Sequence, residues 1–351
     1  MDVLLHTGFH KTGSSSIQET LARLDQPGLV YLQRSPANHS LMIRSGYSDV
    51  AAGEPPHPAR QMFRSLLQRA ANRPDARSLI ISGEGTVQLD QGGLERLRDD
   101  IREVTDSLRV IGYIRPVSSY MSSAFQQIIK QRFLEVDGCK IPVYWDQLQR
   151  LDATFGRDVV EINPFNKQDL AEGDVVIDFC RRAGVTVRPD QIVRTNESMS
   201  LEAAALLYIH RKRYPETSPG RAAIDSPFIA LLRKAGTSRF QFHGAFVRER
   251  IEPYIDDMRQ VCHRVGFDEE TFLYTDHGGI RSEEDLVGVA LDPDFQRSVL
   301  PEITGQKVSR PLGAEELADL LEATRKRLLF GNHRGWLTRA VSNLRYPFFS
   351  R

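Results

Sequence analysis

Short apolar runs alternating with longer helix-patterned stretches constrain this chain most. Residues 3–5, 29–32, 79–81, 110–114 and 159–162 are too short for buried helices and rich in Val, Ile and Leu. Strands that read as unbroken apolar runs are buried on both faces, and the helical stretches between them supply the crossovers. The pattern predicts an α/β fold of the P-loop type, a three-layer domain with a central parallel sheet flanked by helices, plus a mostly helical C-terminal part. In such sheets ligands sit beyond the carboxyl ends of the strands. Lys11, Glu84 and Arg115 each fall just past one of those ends, which predicts one shared site.

The segment Gly8-Phe9-His10-Lys11-Thr12-Gly13-Ser14-Ser15-Ser16 follows the first run and leads into a helical pattern over 17–24. Strand, glycine-bearing turn and helix start together make an anion cradle. The turn's N–H groups and the positive end of the helix dipole converge on one spot. The glycine frame is that of G-x-x-x-x-G-K-[ST], but Ser14 follows the second glycine and the lysine stands inside the turn. A lysine after the second glycine reaches the outer phosphates of a triphosphate. One inside the turn reaches the bridging oxygen of a shorter 5′ anhydride. The later run 108–114 ends in Arg115 and not in an aspartate that would partner Mg²⁺. The run 78–82 leads into Gly83-Glu84, a carboxylate that stays open as a metal ligand.

A second anion element lies at Arg115-Pro116, where a buried strand meets a helix predicted over 117–130. Proline fits the first helical turn because its missing N–H is not needed there. Arg115 and Ser123 are eight residues apart, or about 12 Å along a helix axis. An extended arginine spans part of that distance, so a planar fork of donors and a compact hydroxyl can grip one phosphate. Gln126 and Lys130, further along, read as a solvated helix face, with acceptor contact as the alternative.

The turn from Lys11 to Ser16, of the form K-[ST]-G-[ST]-[ST]-[ST], resembles the 5′-phosphosulfate loop of the PAPS-dependent sulfotransferases. The Arg115/Ser123 element resembles their 3′-phosphate site, in the manner of the bacterial carbohydrate-type branch. Tyr120 with Ser123-Ala124-Phe125-Gln126-Gln127, and Asn196-Glu197-Ser198-Met199-Ser200 before an Ala/Leu-rich helix, belong to the same likeness. It is firm over residues 1–130, looser to 275 and absent beyond. It implies sulfuryl transfer from 3′-phosphoadenosine 5′-phosphosulfate (PAPS) to an acceptor hydroxyl, on a carbohydrate or another small molecule, releasing adenosine 3′,5′-bisphosphate and needing no metal. Lys11, Thr12, Gly13, Ser14, Ser15 and Ser16 would hold the 5′ end, and Arg115 and Ser123 the 3′-phosphate. Lys11 would neutralise the leaving oxygen. Glu84 is the first candidate for the base, at the place where the family carries a histidine or glutamate. His10 is the second, and His39 and His57 are weaker. Two other readings stand beside this one: an ATP- and Mg²⁺-dependent phosphotransferase with Glu84 at the metal, and a non-catalytic nucleotide-binding module.

The 351 residues suffice for a large core. Lysine plus arginine and aspartate plus glutamate both number 46, so no global field argues for nucleic acid. Cys139, Cys180 and Cys262 lie far apart without metal spacing, which suggests reduced thiols in a cytoplasmic setting. No signal-peptide pattern opens the chain, and no run approaches the roughly 20 apolar residues of a membrane span. The expected domains are 1–275, the sulfotransferase-like α/β part, and 276–351, a basic extension. Within the first, 38–59 reads as a long loop suited to a lid. The stretch 276–312 reads as irregular because of Pro293 and Pro301. The tail 325–351 carries seven basic residues, no acid and several aromatics. It reads as a helix packed on its own domain or as a segment docking on an anionic membrane surface or a partner.

Overall fold

The computed structural model describes residues 1–9, 11–48, 57–195, 198–215, 220–274 and 278–331. Five strands, β1 (Asp2–Gly8), β2 (Leu29–Tyr31), β3 (Ser78–Ser82), β4 (Leu108–Ile114) and β5 (Val160–Pro164), form one sheet in the order β2-β3-β1-β4-β5. Every neighbouring pair is parallel. The chain up to residue 213 adds helices α1 (Ser14–Arg23), α2 (Ser40–Tyr47), α3 (Pro58–Ala71), α4 (Gln91–Arg102), α5 (Val117–Gln131), α6 (Trp145–Phe155), α7 (Val175–Ala183) and α8 (Leu201–Arg213). The remainder is helical: α9 (Arg221–Ile224), α10 (Ser226–Leu232), α11 (Gly244–Ile251), α12 (Ile255–Val265), α13 (Glu269–Leu273), α14 (Glu283–Leu291), α15 (Pro293–Thr304) and α16 (Ala314–Phe330).

The parallel α/β fold read from the apolar runs is the fold observed. Leu4, Ile80, Ile111 and Tyr113 point to one face and pack with Ile17 and Leu21 of α1 and Val176 and Phe179 of α7. The alternate residues Val3, Leu5, Leu79, Ile81 and Val110 are equally buried on the opposite face. Burial on both faces is why these strands carry no polar alternation.

The chain divides into two units. The first is Met1–Tyr120, Ile141–Glu197 and Arg250–Thr275, and it holds the whole sheet. The second is Met121–Lys140, Ser198–Glu249 and Asp276–Arg351. This differs from a break at 275 alone, and α8 gives the reason. Every residue from Ala203 to Arg211 is buried, so α8 has no solvent-facing side over that stretch and must be surrounded. The helices packed on it include α10, α14 and α16, two of which follow residue 275.

Two local expectations are corrected. The segment 38–59 is not one long loop, since residues 40–47 form α2. Ile43 and Tyr47, four residues apart, bury one face, and the Tyr47 hydroxyl donates to Asp100 at 2.8 Å. Residues 49–56 lie outside the described residues. The stretch 276–312 is largely helical rather than irregular. Pro293 opens α15 at a position that needs no N–H, and Asp292 caps it by accepting from Phe295 N at 2.8 Å. Ser282 and Asp285 form a capping box for α14.

The helical unit contains a buried ion network. Asp225, fully buried, accepts from Arg211 at 2.7 Å, from Arg325 at 2.7 Å and from Arg221 at 3.3 Å. Arg211, also fully buried, donates to the carbonyls of Ile129 and Lys130. His210 bridges the Arg211 guanidinium and Glu322. Arg325 and Arg327 of the basic tail thus serve their own unit, the latter donating to Thr304 O. Residues 332–351 lie outside the described residues. No helix among the described residues is long and apolar enough to cross a membrane.

Candidate functional site

The loop between β1 and α1 has left-handed backbone at Lys11 (φ 70°) and Gly13 (φ 76°). A lysine there is sterically disfavoured, and such strain gathers at ligand clamps. Thr12, buried, donates its hydroxyl to Phe9 O at 2.6 Å and ties the turn to the strand it leaves. The N–H of Ser16 returns to Gly13 O at 3.0 Å, which starts α1. Gly13 leaves no space for a side chain, since a Cβ would stand 2.7 Å from Val175 Cγ1. At Gly8 a Cβ would collide with Ser14 Oγ and stand 2.6 Å from Glu84 Cγ. The bare backbone of Gly8 therefore brings the start of α1 and the end of β3 together.

The three serines differ. Ser14 is 2% exposed and its Oγ has no hydrogen-bond partner among the described residues. Ser15 is half-buried. The hydroxyl of Ser16 accepts from Thr195 N at 3.1 Å and anchors that segment onto α1. His10 lies outside the described residues.

Lys11, Glu84 and Arg115 come together as the strand ends suggested. Burial pushes the Lys11 ammonium below its ordinary pKa, the Glu84 charge opposes that shift, and Arg115 reinforces it. Arg115 donates to the Lys11 carbonyl at 2.9 Å and so fixes the strained residue from behind. Its Nε donates to Ser119 Oγ at 3.0 Å, and its guanidinium lies 5.1 Å from the centroid of the Phe165 ring. Tyr144 OH donates to Arg115 O at 3.1 Å. Ser119 was not singled out from the sequence, although its spacing of four from Arg115 was a signal. Ser123 is half-buried in the part of α5 that belongs to the helical unit. Gln126 is not on a solvated face. It is 5% exposed and its Oε1 accepts from Met199 N at 2.8 Å.

Glu84 opens a short 3-10 turn, Glu84–Gln88, directly after β3. Beneath it lies a polar set that sequence reasoning missed. His6 Nδ1 and Ser82 Oγ are 2.7 Å apart, and Gln18 Nε2 donates to the same hydroxyl at 3.2 Å. His6 is fully buried, and burial lowers its pKa to about 4 against the opposing charge of Glu84. Apolar-looking strand sequences hide such residues, because a histidine within a core strand gives no periodic signal. His39 is enclosed, and His57 Nδ1 accepts from Ala59 N at the start of α3.

Two comparisons gave nothing: no family model matches the chain, and no curated protein matches it. Among solved structures, a sulfotransferase from Alicyclobacillus acidocaldarius is similar over 76% of this chain and 97% of its own, at 13% identity and a TM-score of 0.38. The sheet order, rather than this likeness, carries the fold assignment.

Proposed function

We propose that the chain is a PAPS-dependent sulfotransferase acting on an acceptor hydroxyl, with carbohydrates as the first acceptor class. The observation that carries the reading is the Gly8–Ser16 turn. It combines a strained in-turn lysine, a helix N-terminus, and a buried serine hydroxyl with no partner among the described residues. Buried polar groups are ordinarily satisfied, so Ser14 Oγ fits a site completed by an anionic oxygen. The residues present fit the 5′ end of PAPS, with the backbone of 12–15 and the hydroxyls of Ser14 and Ser15 as its donors. Arg115 and Ser123 are assigned to the 3′-phosphate by resemblance.

In the reaction the acceptor oxygen bonds to sulfur as the bond from sulfur to the bridging 5′ oxygen breaks. The departing electron pair stays on the phosphate oxygen, where Lys11 neutralises it. The acceptor proton passes to Glu84. Catalysis of this kind is mainly positioning and charge stabilisation, as in phosphoryl transfer.

Calorimetry tests the donor. Adenosine 3′,5′-bisphosphate in EDTA should bind, and more tightly than ATP with Mg²⁺. The reverse order would favour the phosphotransferase. Binding without transfer to any member of a broad hydroxyl panel would favour the non-catalytic module. Glu84→Gln should lower kcat while leaving bisphosphate affinity unchanged. An unchanged kcat would remove Glu84 as the base.

A further inference from the structure

Strand β3 outlasts its neighbour. β2 pairs with it only as far as Tyr31 opposite Ile80, after which Leu32 N–H reaches Ile80 O at 3.0 Å. In a parallel ladder, alternate residues turn both backbone groups to the same side. Ser82 therefore presents its N–H and C=O to the place that β2 has left. His39 fills that place. Its backbone N–H donates to Ser82 O at 3.0 Å, and its Nδ1 accepts the Ser82 N–H at 3.0 Å. With Nδ1 accepting, the proton is on Nε2, which lies 3.0 Å from the Gln33 carbonyl. The ring is 1% exposed and its centroid lies 4.8 Å from that of Tyr31, so neither nitrogen is offered to a substrate.

The next three residues carry this anchoring to Glu84. Gly83 donates its N–H to His6 O at 3.1 Å. A Cβ on Gly83 would stand 3.0 Å from Ser40 N, and one on Gly85 would collide with the Ser40 carbonyl. Both glycines lie flush against the backbone at 39–40. Glu84, between them, has its main chain pinned on either side and its Cγ against Gly8.

We propose that His39 is the positioning residue that holds Glu84 opposite Lys11, acting through Ser82 and the two flanking glycines. The inference rests on the sulfotransferase reading for the role of Glu84 as base, though not for its placement.

The test pairs His39→Leu, which removes the acceptor at similar bulk, with His39→Asn, whose Oδ1 replaces Nδ1. Each full-length variant is read in two ways. With PAPS and a panel of saccharide acceptors, His39→Leu lowers kcat about a hundredfold, the scale of an ångström-sized misplacement. Affinity for adenosine 3′,5′-bisphosphate stays unchanged, and His39→Asn restores kcat to near the wild-type value. Without substrate, the Lys11 titration is followed through isotope-labelled lysine Cε, assigned with Lys11→Arg. Glu84→Gln lowers the Lys11 pKa, because the Glu84 charge raises it and Arg115 opposes it. His39→Leu lowers it likewise and His39→Asn does not. A folded His39→Leu variant with unaltered kcat and unaltered Lys11 titration overturns the proposal. If the wild-type protein transfers no sulfuryl group, the sulfotransferase reading fails, and the Lys11 titration alone decides the positioning role. If His39→Leu does not fold, Gly85→Ala drives a methyl group into the Ser40 carbonyl and is read in the same two ways. Unchanged values there count against the proposal equally.

Discussion

In the helical unit, Asp225 is enclosed by the guanidiniums of Arg211, Arg221 and Arg325, and His210 uses both ring nitrogens on Arg211 and Glu322. Around the loop of the sheet unit, Ser14 Oγ, Thr7 Oγ1 and His6 Nε2 are buried with no hydrogen-bond partner among the described residues. Both regions place costly polar groups out of water. One returns the cost within the fold, and the other leaves it open beside a strained lysine. A saturated buried network reports on architecture, whereas the unpartnered Ser14 hydroxyl at the start of α1 is where the proposed anion would act.

Removing Asp225 gives the largest contrast. Asp225→Ala leaves three guanidiniums without their shared carboxylate and should cost about 3–5 kcal/mol in urea unfolding. A loss below about 1 kcal/mol, the scale of an ordinary surface pair, would break the comparison. Lys11→Ala should behave in the opposite way. Transfer should fall by about 100- to 1,000-fold, as for loss of one charge-stabilising donor, while the unfolding midpoint stays put. Turnover at the wild-type rate would remove the assigned role of Lys11. Arg115→Ala should weaken adenosine 3′,5′-bisphosphate by about 1.5–3 kcal/mol, the worth of a charged hydrogen bond, and 5′-AMP by far less. Equal losses in calorimetry would move the 3′ site elsewhere.

The pH response sharpens the comparison further. His6 and His39 in the sheet unit and His210 in the helical unit are each held near pKa 4 by burial, from an ordinary 6.5. Between those values the unfolded chain binds protons that the folded chain refuses. Stability therefore falls as pH drops from 6.5 toward 4, by up to about 1.4 kcal/mol per pH unit for each histidine. Trp145, in the sheet unit, should report a steeper loss there than circular dichroism reports for the whole chain. A flat Trp145 stability profile across this window would contradict the burial of both histidines. Ser14→Ala has the smallest expected effect. It deletes an atom with no partner, so the melting temperature should hold or rise slightly, with PAPS affinity falling by about 1 kcal/mol. A clear loss of stability would mean that Ser14 Oγ is satisfied within the protein.

Much of the sheet unit was legible because its signals are local. Five apolar runs marked five strands, and Pro116 marked the entry to α5. Lys11, Glu84 and Arg115 could be gathered because strand ends in a parallel sheet converge. What stayed hidden depends on contacts distant in sequence. His39 and Ser82 are bonded across 43 positions, and nothing near His39 in the chain announces that partner. Pro293 misled because the same residue breaks a helix interior and opens a helix start, and only the cap at Asp292 distinguishes the two. The extent of the helical unit was hidden too, since the chain does not mark α8 as a helix that later segments must cover.

That interleaving governs the order in which the molecule can be completed during synthesis. The buried helix α8 emerges from the ribosome about a hundred residues before α16 does, and translation at roughly 5–20 residues per second leaves it only partly covered for several seconds. A chain shortened to residue 275 would keep every strand of the sheet yet leave much of α8 in water, so aggregation rather than a trimmed, folded protein is the outcome to expect from shortening it.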